Sequence, residues 1–192
     1  KAEALLMAHA DWHEAHPIIL GSWARGELSP HSDLDVLFCG DETVVSQLVE
    51  DLSAKGIRLR YRMPADVQDW TQGVEIFDIL ALLKARPLTS KGAHALYEQQ
   101  KNIWQKKAAL RPQILKKIIE EKKQRSLRYD SIVNFLEPNL KYGSGGLRDI
   151  EQALQIYELF AEKYPNPSHA LEVLKYYKLF FLSIRHKLHM DN

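Results

Sequence analysis

Cysteine is almost absent from this chain of 192 residues: Cys39 stands alone. No internal disulfide is possible, so a packed core must hold the fold, and a reducing compartment, the cytoplasm, is the expected setting. An excess of either charge is missing as well. Lysine and arginine number 26 against 25 acidic residues, a net charge of +1, and bulk electrostatics therefore argues against a nucleic-acid partner. No apolar run reaches the roughly 18 residues of a bilayer-crossing helix, so no membrane association is expected. The first residues have the amphipathic pattern of a helix, not the basic, apolar and small-residue segments of a secretory signal. Internal repeats and low-complexity linkers are lacking. What remains is an ordinary globular composition, 45% hydrophobic and 27% charged, in a chain long enough for one large domain or two small ones. The sequence opens without methionine and inside a helical pattern, which reads as a fragment of a longer polypeptide.

Hydrophobic periodicity divides the chain into a mixed α/β part and an all-helical part. Residues 1–15 read as a helix ended by Pro17. Ile18, Ile19 and Leu20 form a short buried strand broken by Gly21 and Ser22. A short helix over 22–28 and a turn at Pro30 and Ser32 lead to a second strand, residues 34–38. Asp41 caps a helix over about 42–54, and Gly56 ends it. Residues 57–63 alternate Ile57, Leu59, Tyr61 and Met63 with Arg58, Arg60 and Arg62, the period of a strand with one exposed face. Beyond Pro64 no strand is expected. Helices are expected near 65–72, 75–84, 89–105, through 103–119 by the spacing of Ile103, Ile114 and Ile118, and over 147–163 and 168–190. Arg86-Pro87 punctuates this pattern, placing a boundary between residues 1–86 and 87–192.

The segment 21–38 carries chemistry. Asp33 and Asp35 are two apart at the mouth of a strand, and a period of two puts both carboxylates on one face. Side by side they repel unless a cation lies between them, and oxygen ligands of this kind suit Mg2+. Upstream, Gly21-Ser22 follows a strand and opens a helix, where backbone N–H groups favour phosphate. A second segment, 136–151, reads LEPNLKYGSGGLRDIE. Pro138 interrupts a helix, and Gly143, Ser144, Gly145 and Gly146 turn the chain into a new one beginning Leu147-Arg148-Asp149. Such a turn either presents N–H groups and a cation to an anion or merely joins two helices, with Arg148 and Asp149 solvated.

The order Gly-Ser, then Asp-x-Asp, resembles the signature of polymerase β-type nucleotidyltransferases. The fuller string from Gly21 through Arg25-Gly26-Glu27-Leu28 to Ser32-Asp33-Leu34-Asp35 resembles bacterial PII-protein uridylyltransferases and glutamine synthetase adenylyltransferases. Leu136-Glu137-Pro138, Lys141 and Gly145-Gly146-Leu147-Arg148-Asp149 are similar to the hallmark of the uridylyltransferases' helical domain, and Leu147 and Asp149 favour them over the adenylyltransferases. The resemblance runs from about Leu20 to the end.

This resemblance implies an α/β (α+β) polymerase β-like nucleotidyltransferase domain with a small mixed sheet, followed by an all-α helical domain. It implies that Asp33 and Asp35 are catalytic and hold Mg2+ on a nucleoside triphosphate, UTP being favoured, with a tyrosine hydroxyl of a PII-type signal protein attacking the α-phosphorus. Gly21, Ser22 and Arg25 would then hold phosphates, and Lys141, Arg148 and Asp149 would face a cleft between the domains. The family pattern also has a third carboxylate on a neighbouring strand. Residues 57–63 contain no acid, and the nearest candidates are Asp66 and Asp69 in the segment that follows. A transferase fold that binds a nucleotide or a regulatory partner without turnover is therefore a second reading, and a transferase acting on RNA ends a third.

Other features read as structural. His9, His13 and His16 share one side of the first helix, with spacing that misses the zinc motif H-E-x-x-H. Lys106, Lys107, Lys116, Lys117, Lys122 and Lys123 read as the wet face of an amphipathic helix. Cys39 reads as a small buried hydrophobe and Trp12, Trp70 and Trp104 as packing residues, whereas Trp23, beside Ser22, reads as a candidate lining of the nucleotide pocket. His186 and His189 carry no functional reading.

Overall fold

The computed structural model describes residues 4, 7–8, 12–29, 31–63, 76–130, 139–160 and 169–191. The chain divides into two compact units, Lys1–Gln105 and Lys106–Asn192.

In the first unit, β1 (Pro17–Ile19), β2 (Leu34–Phe38), β3 (Leu59–Arg62) and β4 (Arg86–Pro87) form a four-stranded mixed sheet in the order β3-β2-β1-β4. β1 runs antiparallel to β2 and β4, and β2 runs parallel to β3. The sheet is small and mixed, as expected, but β4 is a strand where none was expected. Its two residues include Pro87, which lacks an N–H, and proline is tolerated only where a strand needs no further donor, as at a sheet edge. A further correction concerns the start of the chain. Trp12, His13, Glu14 and Ala15 are turn rather than helix, and His16 has a positive φ of 45°. The helical face shared by the histidines therefore does not extend to His13 and His16, while His9 lies outside the described residues. His16 Nδ1 is instead 3.4 Å from Thr89 Oγ1.

α1 (Gly21–Ala24) and α2 (Glu42–Ala54) lie in the segments that join β1, β2 and β3. The Asp41 carboxylate accepts from the N–H groups of Thr43 at 2.9 Å and Val44 at 3.3 Å, which starts α2. Val45, Leu48 and Leu52 recur at helical spacing and bury one face of α2 against Ile19, Trp23, Leu34, Val36 and Phe38. This is the main core of the unit, and Trp23 belongs to it rather than to a nucleotide pocket. The alternation of β2 sends Asp35 and Leu37 to the opposite face. There Ile18 and Leu37 are buried, and the Gly92 Cβ position on α4 (Ser90–Gln105) lies 3.5 Å from Ile18 Cγ1. α3 (Ile76–Leu83) precedes β4. Trp12 is buried, but Trp104 is 47% exposed and is no core residue; Trp70 and the helix expected over 65–72 lie outside the described residues.

The second unit is all helical among its described residues: α5 (Lys107–Tyr129), α6 (Leu147–Phe160) and α7 (His169–Met190). The apolar spacing expected to run unbroken from Ile103 to Ile119 is interrupted at Lys106, which is turn. Pro112 sits within α5. No described helix is long and apolar enough to cross a membrane.

Candidate active site

The segment between β1 and β2 aims the acidic pair. The Leu20 N–H donates to the Asp35 carbonyl at 2.9 Å, tying the end of β1 to β2. Gly21 turns the chain there with φ 57°, a left-handed conformation in which a side chain would be strained. A Cβ on Gly21 would also lie 2.5 Å from Asp35 Oδ2. Downstream, the Ser29 N–H donates to Ser32 Oγ at 3.0 Å and the Ser32 N–H donates to the Ser29 carbonyl at 2.9 Å. This reciprocal turn delivers Asp33 to the start of β2, where it is exposed, while Asp35 inside the strand is half-buried. Leu34, between them, is buried on the core side, so both carboxylates belong to the other face by the strand period.

Gly21, Ser22, Asp33 and Asp35 are thus brought together at one end of the sheet. Arg25, expected to hold phosphate, is paired with Glu27: its Nε is 2.7 Å from Glu27 Oε2. Among the described residues no cluster of three metal-ligating side chains forms around the pair, and Asp66 and Asp69 lie outside those residues. β3 pairs Arg60 with Asp35 and Arg62 with Leu37. Arg62 contacts Asp78 of α3 at 3.1 Å, a carboxylate that sequence reasoning passed over.

In the second unit the turn 143–146 is built from its own hydrogen bonds. The Gly143 N–H donates to Asn139, that of Gly146 to Gly143, that of Leu147 to Leu140 and that of Arg148 to Lys141, each at 2.9 Å. Ser144 donates through its N–H and its Oγ to the Asp130 carboxylate at 3.0 and 2.6 Å. The Gly145 N–H donates to Asp149 Oδ2 at 2.9 Å. These N–H groups are therefore engaged by neighbouring carbonyls and carboxylates, which favours the second of the two readings, a turn that joins two helices. Gly146 is buried, and a Cβ there would meet the Leu140 carbonyl at 2.7 Å.

Asp149 is half-buried and engaged by several neighbours rather than merely solvated. Its Oδ1 accepts from Arg125 Nη2 at 2.6 Å, and Lys122 Nζ lies 3.6 Å from Oδ2, so Lys122 is not simply part of a wet helix face. Burial alone would raise the carboxyl's pKa; the Gly145 N–H and Arg125 outweigh it, with help from the charge of Lys122, and hold it below the usual carboxylate range. Arg125 is itself buried and also donates to the Tyr142 carbonyl at 3.1 Å, to Gln152 Oε1 at 3.1 Å and to Glu121 at 3.2 Å. Gln152 in turn donates to Glu121 at 2.6 Å. Sequence reasoning missed this network, although a signal existed. Ile114, Ile118, Glu121 and Arg125 follow one helical line, so the buried stripe of α5 runs straight into two charged residues.

Lys141 is exposed, with Nζ 5.0 Å from the Tyr142 ring centre, and Tyr142 stacks on Tyr129 at 5.3 Å. Arg148 makes long pairs with Glu121 at 3.8 Å and Glu151 at 3.9 Å. Cys39 is partly buried and its thiol is pushed up by burial, in keeping with a packing role.

Comparison with known proteins adds a family context. Residues 113–192 match the family model described as GlnD PII-uridylyltransferase. The bifunctional uridylyltransferase/uridylyl-removing enzyme of Burkholderia mallei (strain ATCC 23344) is 31% identical over 147 residues, covering 72% of this chain and 17% of its own length. The enzyme of the same name from Xanthomonas campestris pv. campestris (strain B100) is 29% identical over 164 residues, covering 78% of this chain and again 17% of its own. The chain thus spans about a sixth of the length of these relatives.

Proposed function

We propose, on the premise of this similarity to PII uridylyltransferases, that the chain carries the transfer site of a Mg2+-dependent nucleotidyltransferase that moves UMP from UTP to a tyrosine of a PII-type protein. The observation that supports this most is the meeting of Asp33, Asp35, Gly21 and Ser22 at one end of a sheet. The donor set fits the ion, since two carboxylates on one strand face offer only oxygen, and Gly21 leaves Asp35 Oδ2 the space a side chain would fill. Mg2+ held by Asp33 and Asp35 would neutralise the triphosphate and polarise its phosphorus. Ser22 and the start of α1 would orient the phosphates, with Arg25 beside them. Lys141 and Arg148 would bind the nucleotide or target, and Asp149, held by Arg125 and the Gly145 N–H, would fix their turn. In the reaction the tyrosine oxygen bonds to the α-phosphorus while the bond to pyrophosphate breaks, and the residues supply position and charge.

A second reading, a nucleotide-binding module without turnover, is favoured by the arginines of β3, which stand where the family pattern has an acid. Labelled UTP, Mg2+ and a PII protein separate the two. Label transferred to the PII tyrosine, and abolished by Asp35→Asn, is the expected result. Nucleotide binding with no transfer to any target would sink the enzyme.

A further inference from the structure

The sheet face that carries the acidic pair also carries a row of guanidinium groups. Ile57, Leu59 and Met63 pack against the core cluster, so the alternation of β3 and the residues flanking it sends Arg58, Arg60 and Arg62 to the face of Asp33 and Asp35. The register agrees, with Arg60 opposite Asp35. The three arginines differ in their surroundings. Arg62 is bound to Asp78, at the end of the face where Leu37 is buried. Arg58 and Arg60 stand at the other end, both exposed, and neither has a salt-bridge partner among the described residues. β3 is the outermost strand on that side of the sheet.

We propose that Arg58 and Arg60 form a polyphosphate-binding strand edge, taking the phosphates of the nucleotide beside the Asp33–Asp35 pair; the identity of the ligand rests on the nucleotidyltransferase reading. An acid at this place would draw a cation. An arginine is repelled by a cation and attracted to the anion that accompanies it. Adjacent strands lie about 4.8 Å apart, so a phosphate chain lying over β2 falls within the span of an arginine side chain on β3. A guanidinium meets two phosphate oxygens at once, which fixes orientation as well as charge. The strand that would otherwise activate a nucleophile thereby anchors the substrate.

Calorimetric titration of the protein with inorganic tripolyphosphate in EDTA, and with UTP in Mg2+, tests this. Tripolyphosphate is expected to bind without metal. The double variant Arg58→Ala, Arg60→Ala is expected to weaken both ligands by about tenfold or more, and Arg60→Lys to keep part of the affinity. Asp35→Asn should weaken only the UTP complex. Because both arginines are exposed, circular dichroism should show an unchanged fold, and Arg60→Lys provides a second comparison. Unchanged affinity for both ligands in the double variant overturns the inference, even if Asp35→Asn still abolishes transfer. Binding of hexaglutamate, but not tripolyphosphate, through these arginines also overturns it. Arginine-dependent tripolyphosphate binding without any Asp35-dependent transfer supports it and removes the transferase reading instead.

Discussion

Asp35 sits against a neighbour with no side chain, and the two residues depend on each other. Gly21 combines a left-handed φ of 57° with a Cβ position 2.5 Å from Asp35 Oδ2. Gly21→Ala is expected to cost about 1–2 kcal/mol from backbone strain alone and to displace the carboxylate, lowering the Mg2+ affinity proposed for the acidic pair. Urea denaturation and metal titration of the variant check this; an unchanged midpoint would count against the strained geometry. At Arg125 the expectation is larger. Arg125→Met keeps the volume but leaves Asp149 and Glu121 without their buried partner, for a loss of about 3 kcal/mol, measurable by the same denaturation. The acidic pair was legible in the sequence because a strand's period of two is local. Arg125 was legible only as the continuation of the buried line of Ile114 and Ile118; Glu121 at i−4 looks like a solvent-side pair, and its other partners, Asp149 and Gln152, lie 24 and 27 residues further on.

Among the elements, the turn 143–146 joins α5 to α6 through two carboxylates. Ser144 hydrogen bonds, through the side chain and then the backbone, with a further contribution from the Ser126 side chain, hold Asp130 below its ordinary pKa, and Asp149 is lowered as described. Both folded values lie below the unfolded ones, so their stabilisation is complete at neutral pH. It is lost as pH falls from about 4 through the folded values. Parent protein is therefore expected to lose urea resistance in that acidic window, whereas Asp149→Asn is weaker at pH 7 and shows a shallower acid decline. Identical acid slopes for the two proteins would remove Asp149 from this role. β2 and α2 could be read from sequence to the residue, since their signals are local: an apolar run closed by Gly40, and a helix flanked by the Asp41 cap and Gly56. β4 could not: it pairs with Ile18 and Ile19, which lie far back in the chain, and one of its two residues is a proline. The turn at Trp12–Ala15 was equally hidden, because an amphipathic pattern does not reveal that Gly40 N–H will bond to the Ala15 carbonyl.

For the molecule as a whole, two surfaces stand out. α7 exposes Tyr176, Tyr177, Leu179 and Phe180, an apolar patch on a single helix of the second unit. The protein is expected to enhance the fluorescence of anilinonaphthalene sulfonate, and Leu179→Lys with Phe180→Lys to remove most of that signal. Unchanged fluorescence would locate the dye elsewhere. The other surface is the margin of the sheet. On one side Pro87 withholds an amide from any newcomer, and on the other Arg58 and Arg60 would place like charges against a second copy of themselves. Neither border of the described sheet invites a fifth strand, so molecules crowded together have no ready template for joining sheet to sheet into a fibre.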